Sequence, residues 1–282
     1  MSPIAAGATG LCVLLLIVWQ ALPPASAGLR PPRVIAATQA GLERNADLRV
    51  LVEAVHRDVD AVVILCGSAS RTGEAGRRDV LAMFEALGRL GAERRIVVGD
   101  GGTKAGITEA AGKARLASDG AFMLVGVAPA REIAPRGPAP VDPHHSHIVA
   151  VDDPTLPPDA ASWGSETATM YWLFNRFAEG RNSVTIVAGG DGTVLPEIAA
   201  NVEAGRPMIL IEGSGRAADA IIALLRGSTP ADADVDALRE RARQARLTRR
   251  PDLFSVVPVA AGAAGLLEAL RTTLGPVLPR TR

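Results

Sequence analysis

The sequence predicts an α/β fold, a Rossmann-like doubly wound and mostly parallel sheet preceded by one N-terminal hydrophobic helix. Three observations carry the prediction. Short runs of Val, Ile and Leu alternate along the chain with stretches of helical spacing, the pattern of βα units with right-handed crossovers. Three of those runs break at glycine turns that lead directly into helical spacing, at 99–106, 188–193 and 213–215. And 48% of the residues are apolar while only 3% are aromatic, so the core must be built from aliphatic side chains, as in strands buried on both faces.

No charged residue occurs between Ser2 and Leu29, and 4–22 is long enough to span a bilayer as a helix. The first positive charges, Arg30 and Arg33, follow that run, which by the positive-inside tendency puts the carboxyl side in the cytoplasm. Residues 1–33 are therefore expected to be a membrane anchor, and 34–282 a single cytoplasmic domain. The competing reading is export after cleavage near Ala27, because Ala25-Ser26-Ala27 has the small residues of a signal-peptidase site, although no lysine or arginine precedes the apolar run. Cys12 follows Thr9-Gly10-Leu11, which does not fit a lipoprotein box.

Strands are expected at 34–38, 61–66, 96–99, 122–128, 147–151, 184–188, 208–212 and 253–258. An amphipathic helix is expected over 77–90, where Val80, Leu81, Phe84, Leu87 and Leu90 recur at three-and-four spacing, and others at 217–225 and 264–274. Residues 235–250 read as a solvated, arginine-heavy helix whose acidic residues come early, as the helix dipole favours. The loops 129–146 and 152–165 are too long to be plain connectors and are expected to shape a site.

Lysine plus arginine equals aspartate plus glutamate, 30 each, so no net field recruits nucleic acid, and no nucleic-acid partner is expected. Two cysteines, Cys12 and Cys66, make no disulfide framework, and neither has a visible partner that would activate it.

The chemistry is expected where strands end in glycine. At 208–225 an apolar run closed by Glu212 breaks at Gly213-Ser214-Gly215 and resumes as a helix from Arg216. Such a turn lets backbone N–H groups approach an anion at a helix amino end, with Ser214 and Arg216 as further donors and Glu212 placed to accept from ribose hydroxyls. Asp219, three residues after Arg216, is the alternative partner of that arginine. The turn at 99–106 offers Asp100, Gly101, Gly102, Thr103, Lys104 and Gly106 as a backbone nest with two side-chain donors, although its order is not that of a Walker A loop. The third turn contributes Gly189 and Gly190, and Gly67 and Ser68, beyond the strand at 61–66, complete the list. Three such turns in one parallel sheet open toward its carboxyl edge and are expected to converge on one crevice.

The run Asp142-Pro143-His144-His145-Ser146-His147 is expected to offer imidazole donors to a ligand, with alternation placing His145 and His147 on one strand face. A metal there would need a third ligand such as Glu166 or Asp152. No metal or cofactor is expected. Trp163, beside Glu166, is the candidate for stacking on a base, whereas Tyr171 and Phe174 have the spacing of core residues.

Gly-Gly-Asp-Gly-Thr at 189–193 also resembles the fingerprint of NAD kinases and lipid kinases, but too little chain follows it for the large β-domain of those enzymes. It resembles as well the loop of cytokinin-activating phosphoribohydrolases, with Ala188 in place of the proline and Glu197 one residue late, a displacement of about 100° around a helix. Taken together, Asp-Gly-Gly-Thr-Lys-Ala-Gly at 100–106, Val-Gly-Val-Ala-Pro at 125–129, Asp-Pro-His-His-Ser-His at 142–147, Trp-Gly-Ser-Glu-Thr at 163–167 and Glu-Gly-Ser-Gly-Arg-Ala-Ala-Asp-Ala at 212–220 resemble the prokaryotic LSDAT domains of the SLOG superfamily. These are similar to the amino-terminal ligand-sensing domain of melastatin-type transient receptor potential channels. The resemblance implies a Rossmann-like domain that senses a nucleotide-derived small molecule such as ADP-ribose, and it does not imply a reaction; the alternative is a phosphoribohydrolase-like or nucleoside-hydrolase-like enzyme. It implies contacts from Gly101, Gly102, Thr103, Gly213, Ser214, Gly215 and Arg216.

Overall fold

The structure is a computed structural model and describes residues 29–68, 74–134, 137–157, 159–190, 194–228 and 250–277. The expected anchor at 4–22, residues 235–249 of the expected helix and Asp191-Gly192-Thr193 lie outside the described residues. Among the described residues no helix is long and apolar enough to cross a membrane.

Strands form where the apolar runs place them: β1 Arg33–Thr38, β2 Ala61–Ser68, β3 Ile96–Asp100, β4 Met123–Pro129, β5 His147–Asp152, β6 Asn182–Gly189, β7 Met208–Glu212 and β8 Phe254–Pro258. Between them run α1 Ala46–Asp58, α2 Glu74–Met83, α3 Glu85–Glu93, α4 Gly106–Ala117, α5 Thr167–Ala178, α6 Val194–Glu203, α7 Arg216–Leu225 and α8 Gly262–Leu274. The Asn45 side chain starts α1, accepting from the Leu48 N–H at 3.1 Å while donating to the Ala36 carbonyl at 2.8 Å.

The helix expected over 77–90 is two helices. At Phe84 the N–H donates to the Leu81 carbonyl only three residues back, a tighter step that ends α2 and reorients α3. Val80, Phe84, Leu87 and Leu90 are nevertheless all buried, so the apolar spacing runs through the break and cannot reveal it.

All eight strands are parallel, in the order β1-β5-β4-β3-β2-β6-β7-β8, a stricter arrangement than the mostly parallel sheet expected. From β2 the chain winds outward through β3, β4 and β5, then returns to lay β6 on the other side of β2. The order reverses there, and a crevice opens outside the carboxyl ends of β2 and β6. One face of the sheet packs on α2, α3, α4 and α8 through Val63, Val98, Phe84 and Leu270. The other packs on α1 and α5 through Val62, Val149, Leu51 and Phe177, and on α6 and α7 through Leu210, Ile198 and Ile221.

Two departures from a regular doubly wound sheet position the site. Among the described residues the β4-to-β5 crossover at 130–146 has no α-helix; Ala130, Ile133 and Val141 cover Ala128, Ile148 and Ala150 in place of one. And β3 is short. It ends at Asp100, paired with Gly126, whereas β4 continues to Pro129 and β2 continues past the Ile64–Gly99 pair to Ser68. At about 3.3 Å per residue the loop after β3 starts roughly 10 Å below its neighbours' ends.

Candidate functional site

At the switch point the ends of β2 and β6 meet backbone to backbone. Gly67 has φ +121°, and a Cβ there would lie 2.1 Å from the Ala188 carbonyl oxygen. Gly190 has φ +85°, and its Cβ would meet Val194 at 2.4 Å and the Gly67 Cα at 3.4 Å. Only glycine fits this seam. Ser68 is paired with Gly189, and α6 starts at Val194, so its amino end faces the same crevice.

The loop after β7 is joined to the loop after β6. Ser214, almost fully buried, accepts the Gly189 N–H through its hydroxyl at 2.8 Å and donates to the Ile211 carbonyl at 2.6 Å. The Ala217 N–H reaches the Gly190 carbonyl at 3.4 Å. Two of the three glycine turns are therefore one unit. Within it the Asp219 carboxylate turns back to its own helix start, accepting the Gly213 N–H at 2.7 Å and the Gly215 N–H at 2.9 Å. Gly213 and Gly215 have φ of +86° and +89°, and Arg216 opens α7 with φ +49°, unusual for a residue with a Cβ. Glu212 pairs with Arg226, whose guanidinium holds that carboxyl below its usual range. A cleft of about 380 Å³ lies against the turn, lined by Glu212, Gly213, Asp219, Ile222, Ala223, Arg226 and Ser228.

On the α5/α6 side, Glu197 stands in the first turn of α6 and accepts from the Tyr171 hydroxyl at 3.2 Å. That hydroxyl accepts from Asn201 at 3.0 Å, and the Asn201 oxygen accepts from Thr185 at 2.7 Å and Arg206 at 2.6 Å. Burial, then the neighbouring Cys66 and Glu197, push the tyrosine well above its usual range. Burial, then Glu197, push the Cys66 thiol up as well, so it stays protonated and is no nucleophile. Tyr171 is core by spacing, as expected, but its hydroxyl also anchors a polar network that a periodicity argument does not see.

The turn after β3 faces inward. The Gly102 N–H donates to Asp100 at 2.8 Å and the Gly102 carbonyl accepts the Asp142 N–H at 3.1 Å. Thr103 pairs with Val141, and the Lys104 N–H donates to the Pro140 carbonyl at 2.7 Å. Gly102 is glycine because a Cβ would lie 3.1 Å from Ile148 and 3.2 Å from the Gly126 Cα. Gly101 is half-buried, Lys104 is exposed, and Gly106 begins α4. No hydrogen bond found among the described residues joins this turn to the β6–β7 unit.

The histidines follow the crossover. His145 is completely buried on the α4 side, with Nε2 2.8 Å from Asp100 Oδ1 and Nδ1 3.4 Å from Asp142 Oδ1. Burial works against its charge, yet Asp100 and Asp142 together outweigh it and hold the imidazole at a pKa of about 9. It is an imidazolium between two carboxylates. His144 lies 3.3 Å from Asp142, and its carbonyl accepts from Arg115 at 2.8 Å. His147 opens β5 beside the Ser146 hydroxyl, and burial, with Arg33 and Arg115 adding to it, lowers its pKa to about 4. The strand starts after His145, so the alternation expected to align His145 with His147 does not operate. Among the described residues no three His, Cys, Asp or Glu side chains are placed to hold a metal.

In the loop before α5, Ser162 is tied to Glu132 at 2.7 Å and Glu166 accepts the Gly164 N–H at 2.8 Å. Burial raises the Glu166 carboxyl, backbone N–H groups oppose it, and Glu132 adds to the rise. Trp163 stands 48% exposed beside them, the most exposed large aromatic among the described residues.

A parallel sheet with glycine turns at its reversal point defines a doubly wound, Rossmann-like α/β domain. The family LSDAT_prok, described as SLOG in TRPM, prokaryote, matches residues 60–267, a span running from β2 into α8 that holds both joined turns and the histidine crossover. The chain belongs to that family. No curated protein matches it.

Proposed function

We propose that this domain is a sensor that binds a nucleotide-derived ligand of the ADP-ribose kind at the carboxyl ends of β2, β6 and β7, tethered to the cytoplasmic face of a membrane by residues 4–22. The observation that carries the reading is the single unit made by Gly67, Gly189, Gly190 and Ser214 at the switch point, with the amino end of α6 facing it. Family membership supports it, as does the cleft beside Glu212 and Asp219. Trp163 is the proposed stacking residue, and Arg216 the proposed charge contact.

Calorimetry of the full-length protein with ADP-ribose, ADP, NAD and AMP tests the reading. Saturable binding of one of them is the expected result, and no binding of any overturns it. The same mixtures are assayed for a released base, because Glu197 stands in the first turn of α6, one residue past the place where a phosphoribohydrolase carries its acid. Turnover lost in Glu197→Gln would replace the sensor with an enzyme. Amino-terminal sequencing of purified protein tests the tether: a mature chain starting at Gly28 would show export instead.

A further inference from the structure

The Gly213-Ser214-Gly215 turn has the form of an anion seat, and a carboxylate already occupies it. Asp219 meets Gly213 N with one oxygen and Gly215 N with the other, at 2.7 and 2.9 Å, both within the range of charge-assisted hydrogen bonds. The third N–H of the turn, on Ser214, donates to the Ile211 carbonyl. A phosphate drawn to this turn would find each of these donors engaged and a negative charge in its place. The cleft alongside repeats the message. Its charged lining is Glu212, Asp219 and Arg226, and the arginine is paired with Glu212. Of that lining, the Asp219 carboxylate is the charged group outside the Glu212–Arg226 pair, and its oxygens keep lone pairs after accepting one N–H each.

We infer that Asp219 is a specificity-determining residue that keeps phosphate off the β7 turn and reserves the adjoining cleft for the neutral, hydroxyl-bearing part of the ligand, a ribose or similar polyol. The inference rests on the reading that this edge holds a nucleotide-derived ligand, and it orients that ligand: sugar in the cleft beside Asp219, phosphate off the Gly213 and Gly215 amides and left to the Arg216 side chain. Hydroxyl groups can donate to Asp219 and Glu212, while the ionised pyrophosphate bridge of such a ligand has only acceptors to offer.

The test uses full-length protein labelled with nitrogen-15 at glycine, titrated with inorganic phosphate as the probe, and calorimetry with ADP-ribose. In the parent protein the Gly213 and Gly215 amide signals are expected to stay fixed with phosphate. In Asp219→Ala they are expected to move, with at least tenfold tighter phosphate binding, while ADP-ribose affinity falls about tenfold. Asp219→Asn keeps the shape without the charge and should give the same direction with smaller size. Movement of the two amides in the parent protein, or no gain of phosphate binding in a folded Asp219→Ala protein, overturns the inference. The parent measurement stands alone if neither variant folds. Absence of ADP-ribose binding by the parent protein would remove the nucleotide reading, yet the phosphate titration would still judge Asp219.

Discussion

His145 and Asp100 form a fully buried ion pair, Nε2 to Oδ1 2.8 Å apart, and the same Asp100 oxygen accepts the Gly102 N–H. The histidine thus fixes the glycine turn through the aspartate.

Stability should accordingly depend on alkaline pH. The folded pKa of His145, about 9, lies above the unfolded value near 6.5, so its contribution is complete below about pH 6.5 and is lost as pH rises through 9. The shift corresponds to about 3 kcal/mol. Urea unfolding at pH 6.5 and pH 9.5 should show the decline, and His145→Ala, which takes the buried Asp100 carboxylate's imidazole partner away, should be less stable by about 3–5 kcal/mol at pH 6.5. A parent protein equally stable at both pH values would mean that the imidazole is neutral.

Ser214→Ala removes the tie between the β6 and β7 turns. The Gly189 N–H loses its acceptor, at a cost of about 1–3 kcal/mol, and the two turns are free to separate. Ligand affinity should fall by more than stability predicts, read by comparing calorimetry with denaturant midpoints. Unchanged affinity in a destabilised variant would confine the serine to a structural role.

Two glycines that look alike in sequence should respond differently. Gly102→Ala forces a methyl against Ile148 and Gly126 at φ +71° and should cost about 2–4 kcal/mol. Gly213→Ala meets nothing nearer than Val259 at 3.7 Å, so only its φ of +86° is strained, about 1–2 kcal/mol. The fold should survive Gly213→Ala while binding weakens; a folded variant with parental affinity would take the β7 turn out of the site.

Arg216 pays for its left-handed φ of +49° with strain that glycine would not carry. Arg216→Gly should therefore match or exceed Arg216→Ala in melting temperature, by up to about 1 kcal/mol of stability. Both should lose about 1.5–3 kcal/mol of ligand affinity, and Arg216→Lys less, because a guanidinium holds two acceptors where an ammonium presents a point charge. Equal affinity in all three would assign Arg216 to the fold alone.

The sequence by itself determined the strands and the class of fold. Val, Ile and Leu runs between helical spacings are local patterns, and a parallel sheet follows from them because each crossover has one favoured hand. The glycine turns were legible for the same reason, since a strand that ends in glycine and resumes as a helix is written in consecutive residues. What only the tertiary structure decided is which turns are joined to one another. Strand order put β2 beside β6 and so joined Gly67 to Ala188, which lie far apart in the chain. The short β3 dropped the 100–106 turn below its neighbours, where Asp142 and His145 from a distant crossover occupy its polar groups. Asp219 was visible as a neighbour of Arg216, but its choice of Gly213 and Gly215 depends on the positive φ angles that bend the turn back over its own helix. Local pattern fixes where backbone donors can be exposed. Which of them stay exposed depends on partners brought in from elsewhere in the chain, because a buried N–H or carboxylate takes the nearest complement that packing supplies.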